Sequence, residues 1–311
     1  MPPISTRQNA RRLAKIAARQ DQTASRAQLD ECGYDSDAVR RRVRASRWQM
    51  AGRAVVLHNA PLTKRNLQWA AVLSIKGPAA VCGRTAAAGY RLRGFDSEYI
   101  EVLIDPNERV PEIEGVKWRR RRGFSAADIS PGPRPASVRP ARAVIDAASW
   151  TDEPRVACAL LIAAVQQRVT KAAALREALD AAGLIRHRRH LTAVLIDIER
   201  GVDSLSEQEF DRLRRRAGLP PPIRQSVRVD ASGRRRYIDA DFGAFSVEID
   251  GGFHLRPLNY WADARRQNEL VLGGDRILRF PSVAIRLEPE VVVAQLLAAG
   301  IAFGLIKPPA K

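Results

Sequence analysis

From Tyr237 to His254 the chain reads Y-I-D-A-D-F-G-A-F-S-V-E-I-D-G-G-F-H, and no other stretch limits its fold so closely. Two strand-like runs, Tyr237–Ile238 and Phe245–Ile249, flank a short turn that contains a glycine. Strand side chains two residues apart point to one face, so Asp239 and Asp241 share a face, as do Glu248 and Asp250. Paired as a hairpin, the runs bring up to four carboxylates together. Hard oxygen ligands of this kind suit Mg²⁺ or Mn²⁺. His254, just past a glycine pair, is a candidate base. The chain carries a formal charge of +18, and an acidic cluster in so basic a protein reads as a phosphodiester-cleaving site held against nucleic acid.

The charge comes from 52 Lys and Arg against 34 Asp and Glu, and most of the excess is Arg. Arg is the side chain best shaped for bidentate phosphate and guanine contacts, so polyanion binding is the leading reading. A high-GC genome, which inflates Arg and Ala, is the plainer explanation. At 311 residues, with 45% hydrophobic and 28% charged content, the chain is globular and long enough for several cores. Cys32, Cys82 and Cys158 are scattered and odd in number, which argues against a disulfide framework and fits a reduced compartment. No apolar run approaches the roughly 18–20 residues of a membrane span, and the start M-P-P-I-S-T-R has no apolar signal core. The expectation is a cytoplasmic, nucleoid-associated protein with no membrane partner.

Four pieces follow from the patterning. Residues 1–60 predict a winged helix-turn-helix: a helix over Thr6–Arg19, a short one capped by Ser25, a third opened by Asp35–Ser36–Asp37, and a β-hairpin over Trp48–His58. The third helix has the pattern of a recognition helix. Val39 and Val43 face the core, and Arg40, Arg41, Arg42, Arg44 and Arg47 face double-stranded DNA, with Arg53 in the wing. A solvated basic face is the alternative. Residues 61–150 predict a mixed α/β middle domain. Its run Lys117–Arg122 is either a second phosphate contact or an exposed edge strand. Residues 151–200 predict a helical connector, in which R-H-R-R-H at 186–190 reads as a basic helix start. Residues 201–311 predict the order αβββαβα around a small mixed sheet, including a helix over Tyr260–Leu272 and a Ser204 cap. The whole is an α/β multidomain chain.

Five pieces of the last region resemble the PD-(D/E)xK nuclease superfamily, and within it domains related to very-short-patch repair endonucleases. They are S-L-S-E-Q-E-F-D-R-L-R-R-R-A-G-L-P at 204–220, Y-I-D-A-D-F at 237–242, V-E-I-D-G-G-F-H at 247–254, D-A-R-R-Q-N-E-L at 263–270 and R-I-L-R-F at 276–280. The resemblance implies a restriction-endonuclease-like α/β fold. It implies that Asp239 is the central metal-binding acid, that Glu248 is the next, and that Glu207 is the acid on the first helix. By the same resemblance His254 serves as base, and Arg266, with Asn268, supports the site or touches phosphate. The superfamily usually has Lys two residues after the second acid; here that position is Asp250. Either Asp250 adds a metal ligand while His254 is the base, or the fold persists without catalysis.

The first region resembles the winged-helix domain of AbiEi-type antitoxins, over roughly residues 8–150. The likeness rests on R-A-Q-L-x-x-x-G at 26–33, R-R-V-R-A-S-R-W at 41–48 and P-A-R-A-V-I-D-A-A at 140–148. Two functions stand side by side. One is a Mg²⁺- or Mn²⁺-dependent DNA endonuclease or nickase, with mismatched or damaged duplex as a candidate substrate by resemblance. The other is a DNA-binding repressor or antitoxin with a degenerate nuclease domain.

Overall fold

The protein, seen in a computed structural model, is described over residues 4–132, 135–200, 207–229, 235–250, 277–281, 284–285 and 288–307. Among these residues it is a mixed α/β chain of eleven α-helices and three small sheets. It divides into two compact units, residues 1–147 and 148–311. Among the described residues no helix is long and apolar enough to cross a membrane.

The first unit opens with α1 (Ile4–Arg19), β1 (Thr23–Ala24), α2 (Arg26–Glu31), α3 (Ser36–Arg44), β2 (Gln49–Ala51) and β3 (Ala54–Val56). Side-chain caps fix the helix starts. Ser25 Oγ accepts from the Gln28 amide, and Gln28 Oε1 accepts from the Ser25 amide. Asp35 Oδ1 accepts from the Ala38 amide at 2.7 Å and starts α3. The three short strands run antiparallel in the order β1-β3-β2. Leu29, Val39, Trp48 and Val55 are buried together, with Leu13, Ile16 and Val43 packed against them. The inward pair Val39 and Val43 is therefore found on the core side of α3, as expected.

The same unit continues with α4 (Lys64–Leu73), β4 (Ala79–Val81), α5 (Gly83–Gly89), β5 (Ile100–Ile104) and β6 (Val116–Arg120), and α6 (Pro140–Trp150) runs from it into the second unit. The sheet order is β4-β5-β6, with β5 antiparallel to β4 and parallel to β6. Every residue of β5 is buried, including Glu101. Its carboxylate accepts from the Arg84 amide at 2.9 Å and from Arg119 at 2.7 Å, which offsets the cost of burying a charge. The two halves of the unit lock together. Asp21 Oδ2 accepts from Trp69 and Arg65 of α4, and its carbonyl accepts from Asn66. The β2–β3 turn lies against the second half: at Gly52 (φ +59°) a Cβ would fall 2.6 Å from Ile113 Cδ1.

The second unit carries α7 (Pro154–Gln166), α8 (Ala172–Asp180) and α9 (Arg188–Arg200), then α10 (Glu207–Arg216), β7 (Ile223–Val229), β8 (Arg235–Asp241), β9 (Ser246–Asp250), β10 (Ile277–Pro281) and α11 (Pro289–Ala302). The sheet order is β10-β9-β8-β7. Its first three strands in sequence pair antiparallel, and β10 joins parallel to β9. Ala240, Val247, Leu278 and Phe280 form a core with Phe210 and Leu213 of α10 and Val292 and Leu296 of α11. Alternation then sets Asp239, Asp241, Glu248 and Arg279 on the opposite face. The predicted helix over Tyr260–Leu272 and the Ser204 cap lie outside the described residues.

Candidate functional site

The carboxylate hairpin expected from sequence exists as β8 and β9. Their ladder pairs Asp241 with Ser246 and Ala240 with Val247. One step further, Asp239 Oδ2 accepts from the Ile249 amide at 2.6 Å. A side chain thus reaches a backbone group of the partner strand just past the last ladder pair. Asp239 is exposed, whereas Asp241 is buried and accepts from the Gly243 amide at 2.9 Å. That bond makes Asp241 a turn-forming residue. Of the two acids, Asp239 is the one that faces solvent.

Glu248 stands on the next strand, half-buried, and meets a cation that the sequence reading did not single out. Arg279 Nε lies 2.9 Å from Glu248 Oε2, and the two residues are direct partners in the parallel β9–β10 register. The signal was present in R-I-L-R-F: Arg279 alternates with Leu278 and Phe280, so it belongs on the acid-bearing face. Glu207 begins α10 and Asp250 ends β9, but their side chains lie outside the described residues, as do His254, Arg266 and Asn268 altogether. Among the described residues no three His, Cys, Asp or Glu side chains gather as a cation site.

The basic helix is more differentiated than its sequence. Arg40, Arg41, Arg44 and Arg47 are exposed, and Arg40 pairs with Asp37 at 3.1 Å. Arg42 turns back onto the protein. Its guanidinium carbon sits 4.5 Å from the Tyr34 ring centre and 4.9 Å from that of Trp48, and Nη1 donates to the Ala38 carbonyl. Arg53 is likewise held at the end of α4, where its amide donates to Ser74 Oγ and its guanidinium to the Ser74 carbonyl. There it borders a cleft of about 750 Å³ with Lys76, Asp105, Asn107, Glu108 and Arg109. Arg7, Arg11, Arg12, Lys15 and Arg19 of α1 add exposed positive charge to the same unit.

The basic run Lys117–Arg122 begins on β6, an edge strand that ends at Arg120, and part of its charge is engaged internally. Arg119 pairs with Glu101, Arg121 pairs with Asp128 at 2.5 Å, and Arg120 donates to the carbonyls of Pro106 and Glu108. Lys117 lies over the Tyr99 ring. In the second unit His187 Nε2 lies 2.9 Å from the Thr151 carbonyl, which engages one histidine of the R-H-R-R-H run. The three cysteines are free and buried. Burial pushes the Cys158 thiol up to about 12 and holds Cys82 well above its ordinary value, so both stay protonated thiols at neutral pH.

Compared with protein families, curated proteins and solved structures, the chain finds no match. An exposed Asp and a half-buried Glu on adjacent strands form an oxygen-donor pair of the type that hard divalent cations take. A carboxylate accepts several partners, so the bonds to Ile249 and Arg279 are compatible with that use.

Proposed function

We propose that this chain is a metal-dependent endonuclease or nickase of duplex DNA. The observation that carries the reading is the placement of Asp239 and Glu248. They stand on one face of adjacent strands, with Asp239 fixed by the Ile249 amide and Glu248 by Arg279. Three further features support it. Five sequence pieces of the second unit resemble the PD-(D/E)xK superfamily. The order α10, β7, β8, β9, β10 and α11 fits the fold that the resemblance implies. The first unit has the order helix, strand, helix, helix, hairpin expected of a winged helix, with exposed arginines on α3.

In this reading Asp239, Glu248 and Asp250 would hold Mg²⁺ or Mn²⁺. When bound, the ion supplies a Lewis acid and lowers the pKa of a coordinated water. The Ile249 amide orients Asp239 so that one rotamer serves the site. His254 takes the proton from the attacking water. Exposed arginines of α3 and α1 bind the duplex through its phosphates, a contact that costs affinity as salt rises. A mismatched or damaged duplex is the substrate class suggested by the very-short-patch resemblance.

The test is cleavage of supercoiled plasmid and of a labelled duplex panel: matched, mismatched, uracil-containing and abasic. Each is incubated with Mg²⁺, Mn²⁺ or EDTA, beside Asp239→Ala and His254→Ala. Metal-dependent cleavage that both substitutions abolish while duplex affinity is kept supports the nuclease. Tight duplex binding without cleavage of any substrate replaces it with the repressor reading.

A further inference from the structure

A face that presents Asp239 and Glu248 repels the phosphate diester it is proposed to receive. Like charges brought together across an interface disfavour binding, and phosphoryl-transfer sites answer with fixed cations where charge develops. The answer has to stand among the carboxylates rather than on a distant surface, because the benefit falls off with distance and solvent.

One described cation meets that requirement by direct contact. Arg279 projects from β10 on the side opposite Leu278 and Phe280, both fully buried in the core. It stands directly across the parallel register from Glu248, with Nε 2.9 Å from Oε2. The Arg279 side chain is 31% exposed and that of Glu248 15%, so the pair opens to the surface and is not sealed in the core. A guanidinium carries five N–H donors in one plane, enough to hold a carboxylate and receive a phosphate oxygen together. Neighbouring β-sheet positions hold Arg279 in place, since Glu248 and Arg279 each sit in a strand whose other face is packed core.

We infer that Arg279 is the phosphate-receiving cation of the carboxylate face, doing from β10 what a lysine after the second acid would do from β9. This rests on the nuclease reading above. Its chemistry is charge stabilisation only: the guanidinium donates N–H bonds to a non-bridging phosphate oxygen as negative charge builds there.

The experiment uses the full chain as wild type, Arg279→Gln, Arg279→Met and Arg279→Lys, on the duplex that wild type cleaves best. Single-turnover cleavage is followed in Mn²⁺, and duplex affinity is measured in Ca²⁺. Arg279→Gln is expected to slow cleavage about 100-fold while changing affinity less than about threefold, and Arg279→Lys to recover at least about tenfold of that loss. Thermal melting shows whether each variant folds. If Arg279→Gln does not, Arg279→Met carries the test, since its apolar stem suits a half-buried slot. Cleavage by the uncharged variant at the wild-type rate overturns the assignment, and so does a loss that Lys fails to recover, which marks a purely structural pair. Wild-type protein that never cleaves, or that is indifferent to Asp239→Ala, overturns the nuclease reading itself and this assignment with it. Asp239-dependent cleavage that is indifferent to Arg279 overturns the assignment alone.

Discussion

Trp69 donates its indole N–H to Asp21 Oδ2 at 3.0 Å, and through that bond the loop after α1 is tied to α4. Arg65 reaches the same oxygen at 3.2 Å, and Asn66 donates to the Asp21 carbonyl. Asp21 holds φ at +46°, a conformation uncommon for a residue with a side chain, and these bonds keep it there. Trp69→Phe keeps the ring and removes the donor. It should cost about 1–2 kcal/mol, because an accepting carboxylate loses a partner. Asp21→Ala should cost more, since both Trp69 and Arg65 lose their acceptor while only the Asn66 bond to the backbone carbonyl remains. Amide exchange across α4 measures both, and the expected order is Asp21→Ala faster than Trp69→Phe, faster than wild type.

The arginines of α3 should separate into two kinds. Arg42 lies against Tyr34 and Trp48, so Arg42→Ala is expected to destabilise the first unit by about 1 kcal/mol through the lost cation–π contact and packing. Arg41 and Arg44 are exposed, and their removal should leave stability within about 0.5 kcal/mol. The same two substitutions should weaken duplex binding and lower the salt slope by about one each. Melting curves and salt-titrated binding, run on all three variants, give a crossed pattern. A shared profile for Arg42 and Arg41 would remove the distinction.

Gly52 makes the β2–β3 turn at φ +59° beneath Pro111 and Ile113. Gly52→Ala adds a Cβ both in a conformation that disfavours it and against Ile113. Destabilisation above about 1 kcal/mol is expected, read as a lower denaturant midpoint of the first unit. A neutral substitution would mean that residues 111–113 move aside without cost.

Asp211 gives a pH signature. Hydrogen bonds from Arg214 and Arg215 hold its carboxyl at about 2, against an ordinary 3.8. A carboxylate depressed on folding stabilises above its unfolded pKa, and that stabilisation is lost as pH falls through the folded value. The stability difference between wild type and Asp211→Asn should therefore be level near neutral pH. It should shrink between about pH 4 and pH 2, the span between the unfolded and folded values. Denaturant midpoints collected across that range test the direction. A gap that widens toward low pH contradicts the ion-pair cause.

Local chemistry made much of this fold legible. Ser25 and Asp35 cap the helices they were expected to cap. The two-residue β1 and the three-residue β4 escaped notice because so short a strand has no periodicity to read. At the site, alternation was enough to put Asp239 and Asp241 on one face, but not to tell them apart. Burial does that, and burial depends on partners remote in sequence. The same limit hid the difference between Arg41 and Arg42. Adjacent residues of one type point to different sides of α3, and only the Tyr34 and Trp48 rings reveal which side is protein.

The ion pairs of Arg119 with Glu101 and of Arg121 with Asp128 change how the basic composition should be weighed. A cation already neutralised by its own fold displaces no condensed counterions when a polyanion arrives, so it adds little to the entropy that drives association. The number of sodium ions released per bound duplex should therefore track the exposed arginines of α1 and α3, well below what a formal charge of +18 implies. Selection acting on edge strand β6 would then be acting on folding, while under the proposed function mutations on α3 would be felt as changes in dwell time on the duplex.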